Sequence, residues 1–358
     1  MNGNGIRTFL SANTPKGFFS FFNEFAADKD NYIIKGGPGT GKSGLMKKVA
    51  GRALTEGFFV EYVYCSSDPD SLDAVYVPEK GFFIADGTPP HVLEPKFPGA
   101  CGGMINLGEC WDDNVLRRNK DDVKQLNGRI AETYKRAYRY MNAAADAFCD
   151  IRESAEKYII GQKAENFINR LISTTIKKRR NGEGSVFRRF LSGVTPKGFL
   201  TFKDTIYTLC SKVVPFSDGY CISPIFINAI KDAAVASGYD VYLFYSPICP
   251  EEAVHVAIPE LDTAFVTSNR LASFDPENAR SVNIRRFLSP DISSVSARMR
   301  FDSRLMTSCL DRAVEEFRRA KALHDDLEEI YIAAMDYGKV DRITIQTVSR
   351  LFGTASEE

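Results

Sequence analysis

The sequence predicts an α/β protein made of two tandem, related domains, each a parallel sheet with a helical appendage. Three observations support this fold class. A segment near the N-terminus recurs in the second half of the chain, short apolar runs alternate with helical segments, and each half ends in a long stretch of helical periodicity. Strands that alternate with helices are typical of parallel sheets. A chain of 358 residues is long enough for two such cores.

The internal repeat is clearest in RTFLSANTPKGFFSF (residues 7–21), which returns as RRFLSGVTPKGFLTF (residues 188–202). Both copies keep the tetrapeptide TPKG, at residues 14–17 and 195–198, and we expect it to serve the fold rather than catalysis. Residues 177–185, KKRRNGEGS, join a basic cluster to small polar residues directly before the second copy. That composition is typical of a linker.

The first copy predicts a strand, a helix and two further strands. Tyr32–Lys35 is a short apolar run before a glycine-rich turn, and residues 43–56 have helical character. Residues 58–65 and 81–85 are rich in β-branched and aromatic side chains, which favours strands. From about residue 115 to 176 the pattern becomes helical.

Both copies end in helices with an apolar stripe. In the first copy the stripe consists of Ile130, Tyr134, Ala137, Met141, Ala145 and Phe148. Such spacing predicts packing seams rather than ligand-binding surfaces. We therefore predict one domain at 1–180 with a helical extension at about 112–178, and a second at 186–358 with C-terminal helices at about 290–353.

Composition excludes several classes of protein. Forty-six basic residues balance 46 acidic ones, so no net charge drives binding to nucleic acid, which is an unlikely partner. No apolar run is long enough to span a membrane, and the N-terminus does not have the pattern of an export signal. The eight cysteines are scattered without CxxC pairs. We expect a cytoplasmic protein with reduced thiols.

The strongest chemical signal is GGPGTGKS at residues 36–43, which fits G-x-x-x-x-G-K-[ST] between an apolar run and a helical segment. Glycines let successive N–H groups point at phosphate oxygens, and the start of the following helix adds positive charge. This pattern is a phosphate-binding loop. The residues expected to bind the nucleotide are Gly36, Gly37, Pro38, Gly39, Thr40, Gly41, Lys42, Ser43 and Gly44.

The chemistry of such a loop needs a cation and a metal site. Lys42 is expected to reach the β- and γ-phosphates of ATP, and the Ser43 hydroxyl to bind Mg²⁺. A carboxylate is also needed, and Asp86 follows the apolar run at residues 81–85. We predict Lys42 and Asp86 as catalytic residues, and Ser43 and Asp86 as the metal ligands. The alternative for Asp86 is an Asx turn leading into Gly87.

Other polar residues are expected at the same edge of the sheet. His91 or Glu94 are candidates for orienting the attacking water. Asp68, Asp70 and Asp73 follow the preceding strand and are either turn and capping residues or indirect magnesium ligands. No Glu directly follows the metal-binding Asp, unlike in many ATPases, which favours slow hydrolysis.

Two weaker patterns carry little weight. Residues 119–122 read NKDD and match the guanine-reading pattern NKxD, but they do not follow an apolar strand, so guanine specificity is not favoured. His255 and His324 have no carboxylate or cysteine at metal-ligand spacing, so no zinc site is expected.

The second copy has lost the loop. An offset of 181 residues places residues 217–224, SDGYCISP, at the position of the phosphate-binding loop. Ser223 and Pro224 stand where the first copy has lysine and serine, and Thr267 stands where it has Asp86. We therefore expect a degenerate domain without triphosphate chemistry.

The segments KGGPGTGKSGLMKKVA, TPKGFFSFF and DGTPPHVLEPKFPG resemble a poorly characterised group of bacterial tandem P-loop ATP-binding proteins. The resemblance covers essentially the whole chain, including PELDTAFVTSN in the second copy. It implies P-loop NTPase-like domains and ATP binding at residues 36–43. The duplication leads one to expect a second phosphate-binding loop, which this chain does not have.

The sequence thus predicts an ATP-binding P-loop protein with slow or partner-stimulated hydrolysis and one competent site. A protein partner or a second copy of the chain is the expected stimulus, and Arg270, Arg285 and Arg286 are candidate charge-stabilising residues. Two alternatives stay open: a small-molecule or nucleotide kinase, and a nucleotide-gated scaffold whose hydrolysis is incidental.

Overall fold

The computed structural model of the chain describes residues 5–27, 29–90, 92–95, 97–177, 182–275 and 281–353. We call residues 5–177 the first half and residues 182–353 the second half. The protein is α/β, and each half contributes one six-stranded sheet and one two-stranded hairpin. None of the described helices has the length and apolar content needed to cross a membrane.

The elements follow one another in a similar order in the two halves. The strands are β1 (Gly5–Thr8), β2 (Ser11–Thr14), β3 (Gly17–Ser20), β4 (Asp30–Lys35), β5 (Val60–Tyr64), β6 (Leu72–Val77), β7 (Phe82–Asp86), β8 (Gly102–Asn106), β9 (Val186–Phe190), β10 (Ser192–Thr195), β11 (Gly198–Thr201), β12 (Lys212–Ser217), β13 (Val241–Tyr245), β14 (Ala253–Ile258), β15 (Thr263–Ser268) and β16 (Val282–Asn283). The helices are α1 (Phe22–Phe25), α2 (Lys42–Thr55), α3 (Asp113–Arg118), α4 (Lys120–Glu156), α5 (Gly161–Thr175), α6 (Lys203–Leu209), α7 (Ser223–Ala236), α8 (Ser296–Ile332) and α9 (Tyr337–Phe352).

The two large sheets have matching strand orders. The first runs β1-β5-β6-β7-β4-β8, and the second runs β9-β13-β14-β15-β12-β16. Neighbours are parallel except around β6 and β14, which are antiparallel to the strands on both sides. Each predicted parallel sheet is therefore mostly parallel, and β6 and β14 are the antiparallel exceptions. The short turn through Pro78–Lys80 and Gly81 leaves room only for a hairpin between β6 and β7.

The TPKG segments form the turns of the two small hairpins. Thr14 ends β2, and its hydroxyl donates to the carbonyl of Gly17 at 2.8 Å. Thr195 repeats this bond to Gly198 at 2.9 Å. Gly17 has a φ of 90°, a conformation that glycine adopts at little cost. These residues shape the turn.

The helical region predicted at about 115–176 consists of three helices, α3 to α5. The long helices α4 and α8 each have 37 residues, about 55 Å. They pack antiparallel to each other, because Tyr134 lies against Phe317 while Asp150 pairs with Arg298 further along. The apolar stripe predicted on α4 is this seam: Ala137 and Met141 are buried in it.

The last helix of each half packs on the other half. Phe167 of α5 lies 6.2 Å from Phe226 of α7, measured between ring centroids. Phe352 of α9 lies 5.7 Å from Phe82 of the first sheet. The helical segments therefore cross over between the halves.

Contacts near the middle of the molecule join the two halves reciprocally. Phe9 and Phe190, which are 181 residues apart, exchange backbone hydrogen bonds of 2.9 and 2.8 Å. Lys197 pairs with Asp70 at 2.6 Å, and Lys16, at the equivalent position of the first half, pairs with Glu251. The halves thus meet through equivalent surfaces.

Candidate phosphate-binding site

The loop at residues 36–43 lies between the end of β4 and the start of α2. Gly39 and Gly41 have φ values of 66° and 92°, which allow the chain to turn sharply into the helix. Thr40 is buried, and its hydroxyl donates to the Gly37 carbonyl at 2.9 Å. A Cβ atom on Gly36 would lie 2.7 Å from the Thr40 hydroxyl oxygen. The tight cradle therefore needs glycine at its entrance.

Lys42 begins α2 and points back over the loop. Its ammonium group donates to the carbonyls of Gly36 and Gly37 at 3.1 and 2.7 Å. It also lies 3.5 Å from Oδ2 of Asp86, and the two side chains are only 12% and 18% exposed. The structure thus brings together the two residues predicted to be catalytic, from positions 44 residues apart in the sequence.

Asp86 ends β7, the strand beside β4, and is paired in register with Ile34. Its Oδ1 atom accepts from the backbone N–H and the hydroxyl of Thr88, at 2.9 and 2.6 Å. This is the Asx turn that the sequence offered as an alternative. Because the turn uses only one oxygen, Oδ2 still faces Lys42, and the two interpretations are compatible.

Ser43 is hydrogen-bonded to the first residue of β6. Its hydroxyl oxygen accepts from the backbone N–H of Leu72 at 3.1 Å. A hydroxyl oxygen has two lone pairs, so one stays available for a cation. The residues present therefore fit a phosphate group on the loop and a magnesium ion at the Ser43 and Asp86 oxygens.

The acidic loop, which we define as residues 65–71, lies beside this site. Asp68 accepts from the Ser71 hydroxyl at 2.9 Å and from the backbone N–H of Asp70 at 3.3 Å, and it lies 3.6 Å from the ammonium group of Lys321 in the second half. Asp70 pairs with Lys197, also of the second half, and that hydrogen bond holds the pKa of Asp70 below its ordinary value. In this structure these carboxylates act as turn and interface residues.

The remaining polar candidates are dispersed. Glu94 pairs with Lys35 at 2.7 Å, and Asp73 is buried in β6, where it accepts from the Ser11 hydroxyl at 3.2 Å. His91 lies outside the described residues, as does most of the basic cluster predicted as a linker. Lys35, the partner of Glu94, ends β4 directly before the 36–43 loop, whereas Ser11, the partner of Asp73, lies in β2.

Two of the predicted charge-stabilising arginines, Arg285 and Arg286, have contacts away from the 36–43 loop. Arg285 donates to the carbonyls of Leu288 and Ser289 at 3.1 and 3.2 Å. Arg286 stacks 5.6 Å from the ring of Phe167, and Arg270 is exposed after β15. Lys197 and Lys321, in contrast, are second-half cations that contact the acidic loop beside the site.

The equivalent loop of the second half contains a carboxylate that binds backbone amides. Asp218 stands at the position equivalent to Gly37, and it accepts from the backbone N–H groups of Ser223 and Tyr220 at 2.7 and 2.8 Å. Burial raises the pKa of Asp218, although these hydrogen bonds oppose the rise. Ser223 also contacts Thr267, hydroxyl to hydroxyl, at 2.7 Å. The first amide of α7, that of Ser223, is thus already bound by an internal carboxylate.

One expectation about histidines is wrong. His324 does have carboxylate neighbours, because Glu328 is one helical turn further along α8, with an Nδ1 to Oε1 distance of 3.6 Å. Asp325 completes the group but is paired with Lys321. His255 is buried, and its Nδ1 atom accepts from a backbone N–H. Burial lowers the pKa of His255 to about 3, so the ring is neutral at ordinary pH.

Sequence reasoning missed the helical corner that packs on the loop. We define the α8–α9 corner as residues 328–340, a second-half segment. Tyr337 there donates to the carbonyl of Gly39 at 2.8 Å, and Asp341 just beyond it pairs with Lys48 of α2 at 2.8 Å. The contacts join positions about 300 residues apart, which periodicity does not reveal. The indication in the sequence is that Gly37 and Gly39 are glycines at positions where the motif allows any residue.

No family model matches this chain, and neither a curated protein nor a solved structure matches it. The chemistry of the loop and its neighbours is therefore the basis for assigning a function.

Proposed function

We propose that the chain is an ATP-binding P-loop protein that hydrolyses ATP slowly or on stimulation by a partner, with one competent site at residues 36–43. The observation that carries this proposal is the position of Lys42, whose ammonium group lies on the loop carbonyls and 3.5 Å from Asp86. An ammonium group held between a glycine-rich cradle and a carboxylate is suited to a phosphate chain and its metal ion.

Each residue has a defined task in this proposal. The backbone N–H groups of the loop bind the phosphates, and Lys42 moves from the loop carbonyls to the β- and γ-phosphate oxygens. Ser43 and Asp86 hold Mg²⁺, which neutralises phosphate charge when it is bound. The resemblance of the loop and its flanking segments to tandem P-loop ATP-binding proteins supports ATP as the ligand.

We propose further that the second half is a degenerate copy of the first. The recurrence of the TPKG segment and the matching strand orders of the two sheets support a tandem duplication. Asp218 supports the loss of function, because its carboxylate binds the amide of Ser223 at the start of α7, a position at which a phosphate would bind. A single nucleotide per chain follows from this.

Slow hydrolysis is expected because the site has few groups to activate water. Gly87 stands directly after Asp86, where many ATPases have a Glu. The arginines expected to stabilise charge make their contacts elsewhere. A partner protein or a second copy of the chain is the proposed source of faster turnover.

Phosphate release from ATP with Mg²⁺ tests this function on wild type, Lys42→Ala and the control Lys48→Ala. We expect slow release by wild type and the control and none by Lys42→Ala, since Lys48 is exposed on the same helix. Release that persists in Lys42→Ala contradicts the proposal. Transfer of phosphate to a metabolite mixture, without free phosphate, identifies a kinase instead. Lys42-dependent capture of a partner, without turnover, identifies a scaffold.

A further inference from the structure

Gly37 and Gly39 occupy variable positions of the phosphate-binding motif, so phosphate binding does not explain them. At Gly37 the reason for glycine is steric. Its backbone is not left-handed, yet an added Cβ atom would lie 2.5 and 2.7 Å from two ring carbons of Tyr331. At Gly39 an added Cβ would lie 2.9 Å from a side-chain carbon of Ile332. Both glycines leave room for the second half, and Gly39 also has a φ of 66°, which favours glycine in itself.

The contact between the loop and the α8–α9 corner continues beyond these glycines. The Tyr337 hydroxyl donates to the Gly39 carbonyl at 2.8 Å. Val340 lies 3.2 Å from where a Cβ on Gly41 would be. Side chains of the second half therefore occupy the space into which a side chain at Gly37, Gly39 or Gly41 would project.

The α8–α9 corner is itself fastened to the first half. The N–H of Asp112 donates to the carbonyl of Ala334 at 2.9 Å, and the N–H of Asp336 donates to the carbonyl of Cys110 at 2.7 Å. The ring of Tyr331 lies edge-on to Trp111, with the centroids 5.9 Å apart. Contacts on both sides of the corner fix Tyr331 and Tyr337 against the loop.

We propose that the α8–α9 corner is part of the nucleotide site, with Tyr331 and Tyr337 as positioning residues that hold the loop in its phosphate-binding shape. The inference rests on the proposed function. A glycine-rich loop loses much conformational freedom when it orders around a ligand. Contacts that order it beforehand reduce that cost and raise affinity. The second half has lost its own phosphate chemistry, but its helices retain this role.

Calorimetric titration of Mg·ATP into Gly37→Ala, Tyr331→Ala and the double variant tests the inference. We expect Gly37→Ala to weaken binding at least about ten-fold, because the new methyl group meets the Tyr331 ring. Tyr331→Ala removes the ring that the new methyl group would meet, together with the contact by which that ring orders the loop. We expect it to weaken binding about three-fold. The double variant should then resemble Tyr331→Ala, with a loss of about three-fold rather than the product of about thirty-fold.

Two controls keep the test specific. Gly51→Ala makes the same change on α2 where an added Cβ meets no atom, and it should bind ATP as wild type does. Tyr337→Phe keeps the ring but removes the bond to Gly39, and it should weaken binding about three-fold with an unchanged melting temperature.

Wild-type affinity in Gly37→Ala, or multiplied losses in the double variant, overturns the inference while leaving the proposed function intact. If Tyr331→Ala fails to fold, Tyr337→Phe decides, and wild-type affinity in that variant overturns the inference. If wild type itself does not bind ATP, that result contradicts the proposed function. It can be told apart from failure of the inference, because the inference is judged on the variants.

Discussion

At the scale of single residues, the two halves differ at the position of Gly37. Gly37 has no side chain that could bind the amides at the start of α2, whereas the equivalent Asp218 binds the amide of Ser223, the first of α7, and that of Tyr220 in the preceding loop. The N-terminus of a helix attracts negative charge, so an internal carboxylate and a phosphate compete for the same groups. The second half therefore has an internal acid at the position where we propose that a phosphate binds in the first half.

Asp218→Ala should therefore destabilise the protein without creating a nucleotide site. The N–H groups of Tyr220 and Ser223 would lose their acceptor, and a buried unpaired donor costs about 1–3 kcal/mol of unfolding free energy. Urea denaturation measures this, with the exposed Asp232→Ala as the control. A free energy of unfolding as high as that of wild type would contradict the role given to Asp218.

At the scale of elements, α9 belongs to the second half in sequence but to the first half in packing. Val340 and Leu351 are buried in the cluster around the first sheet, together with Val49 and Ile84. Apolar periodicity in α9 shows that one face is buried but not which partner covers it. The stability of the region around the phosphate-binding loop therefore depends on the final helix of the chain.

Leu351→Ala measures this dependence. Truncating a buried leucine leaves a cavity and should lower the free energy of unfolding by about 2–5 kcal/mol. Ile345 lies on the same helix with 64% of its surface exposed, so Ile345→Ala should change stability by less than about 0.5 kcal/mol. Equal effects of the two substitutions in chemical denaturation would show that α9 does not pack as described.

At the scale of the whole molecule, a buried ion pair joins the halves. Arg189 of β9 and Glu61 of β5 are 4% and 1% exposed, and they form a two-pronged contact that includes a 3.0 Å bond. Thr8 donates to the same carboxylate at 2.8 Å. Because both charges are shielded from water, neither is tolerated without the other.

Arg189→Met should therefore cost about 3–5 kcal/mol of unfolding free energy, since Glu61 would remain buried without its partner. The neighbouring Arg188 makes an exposed pair with Glu24 at 3.2 Å, so Arg188→Met should cost no more than about 1 kcal/mol. Differential scanning calorimetry of both variants checks this. A larger loss in Arg188→Met than in Arg189→Met would contradict the described interface.

The sequence predicted the parts of the site that depend on local chemistry. The glycine-rich loop and the carboxylate that ends β7 were found because their residue types and spacing follow from the turn and the strand. The orientation of β6 and the exchange of α5 and α9 between the halves were not predicted. Those features depend on contacts distant in sequence, and hydrophobic periodicity contains no information about the partner of a buried face.

Asp218 shows a second limit of sequence analysis. The offset of 181 residues placed SDGYCISP at the site of the lost loop, and the losses of lysine and serine were evident. That the new aspartate would fold back onto the helix amides was not evident, because a loop carboxylate is more often exposed. The surplus glycines of the first loop were similarly visible, but Tyr331, which explains Gly37, is almost 300 residues away.

The stoichiometry of Mg·ATP binding tests the central claim most directly. Isothermal titration calorimetry of wild type should give one ATP per chain, and Lys42→Ala should abolish the binding heat. Two nucleotides per chain would show that the second half retains a site despite Asp218. Binding that is unaffected by Lys42→Ala would show that the loop at residues 36–43 is not where ATP binds.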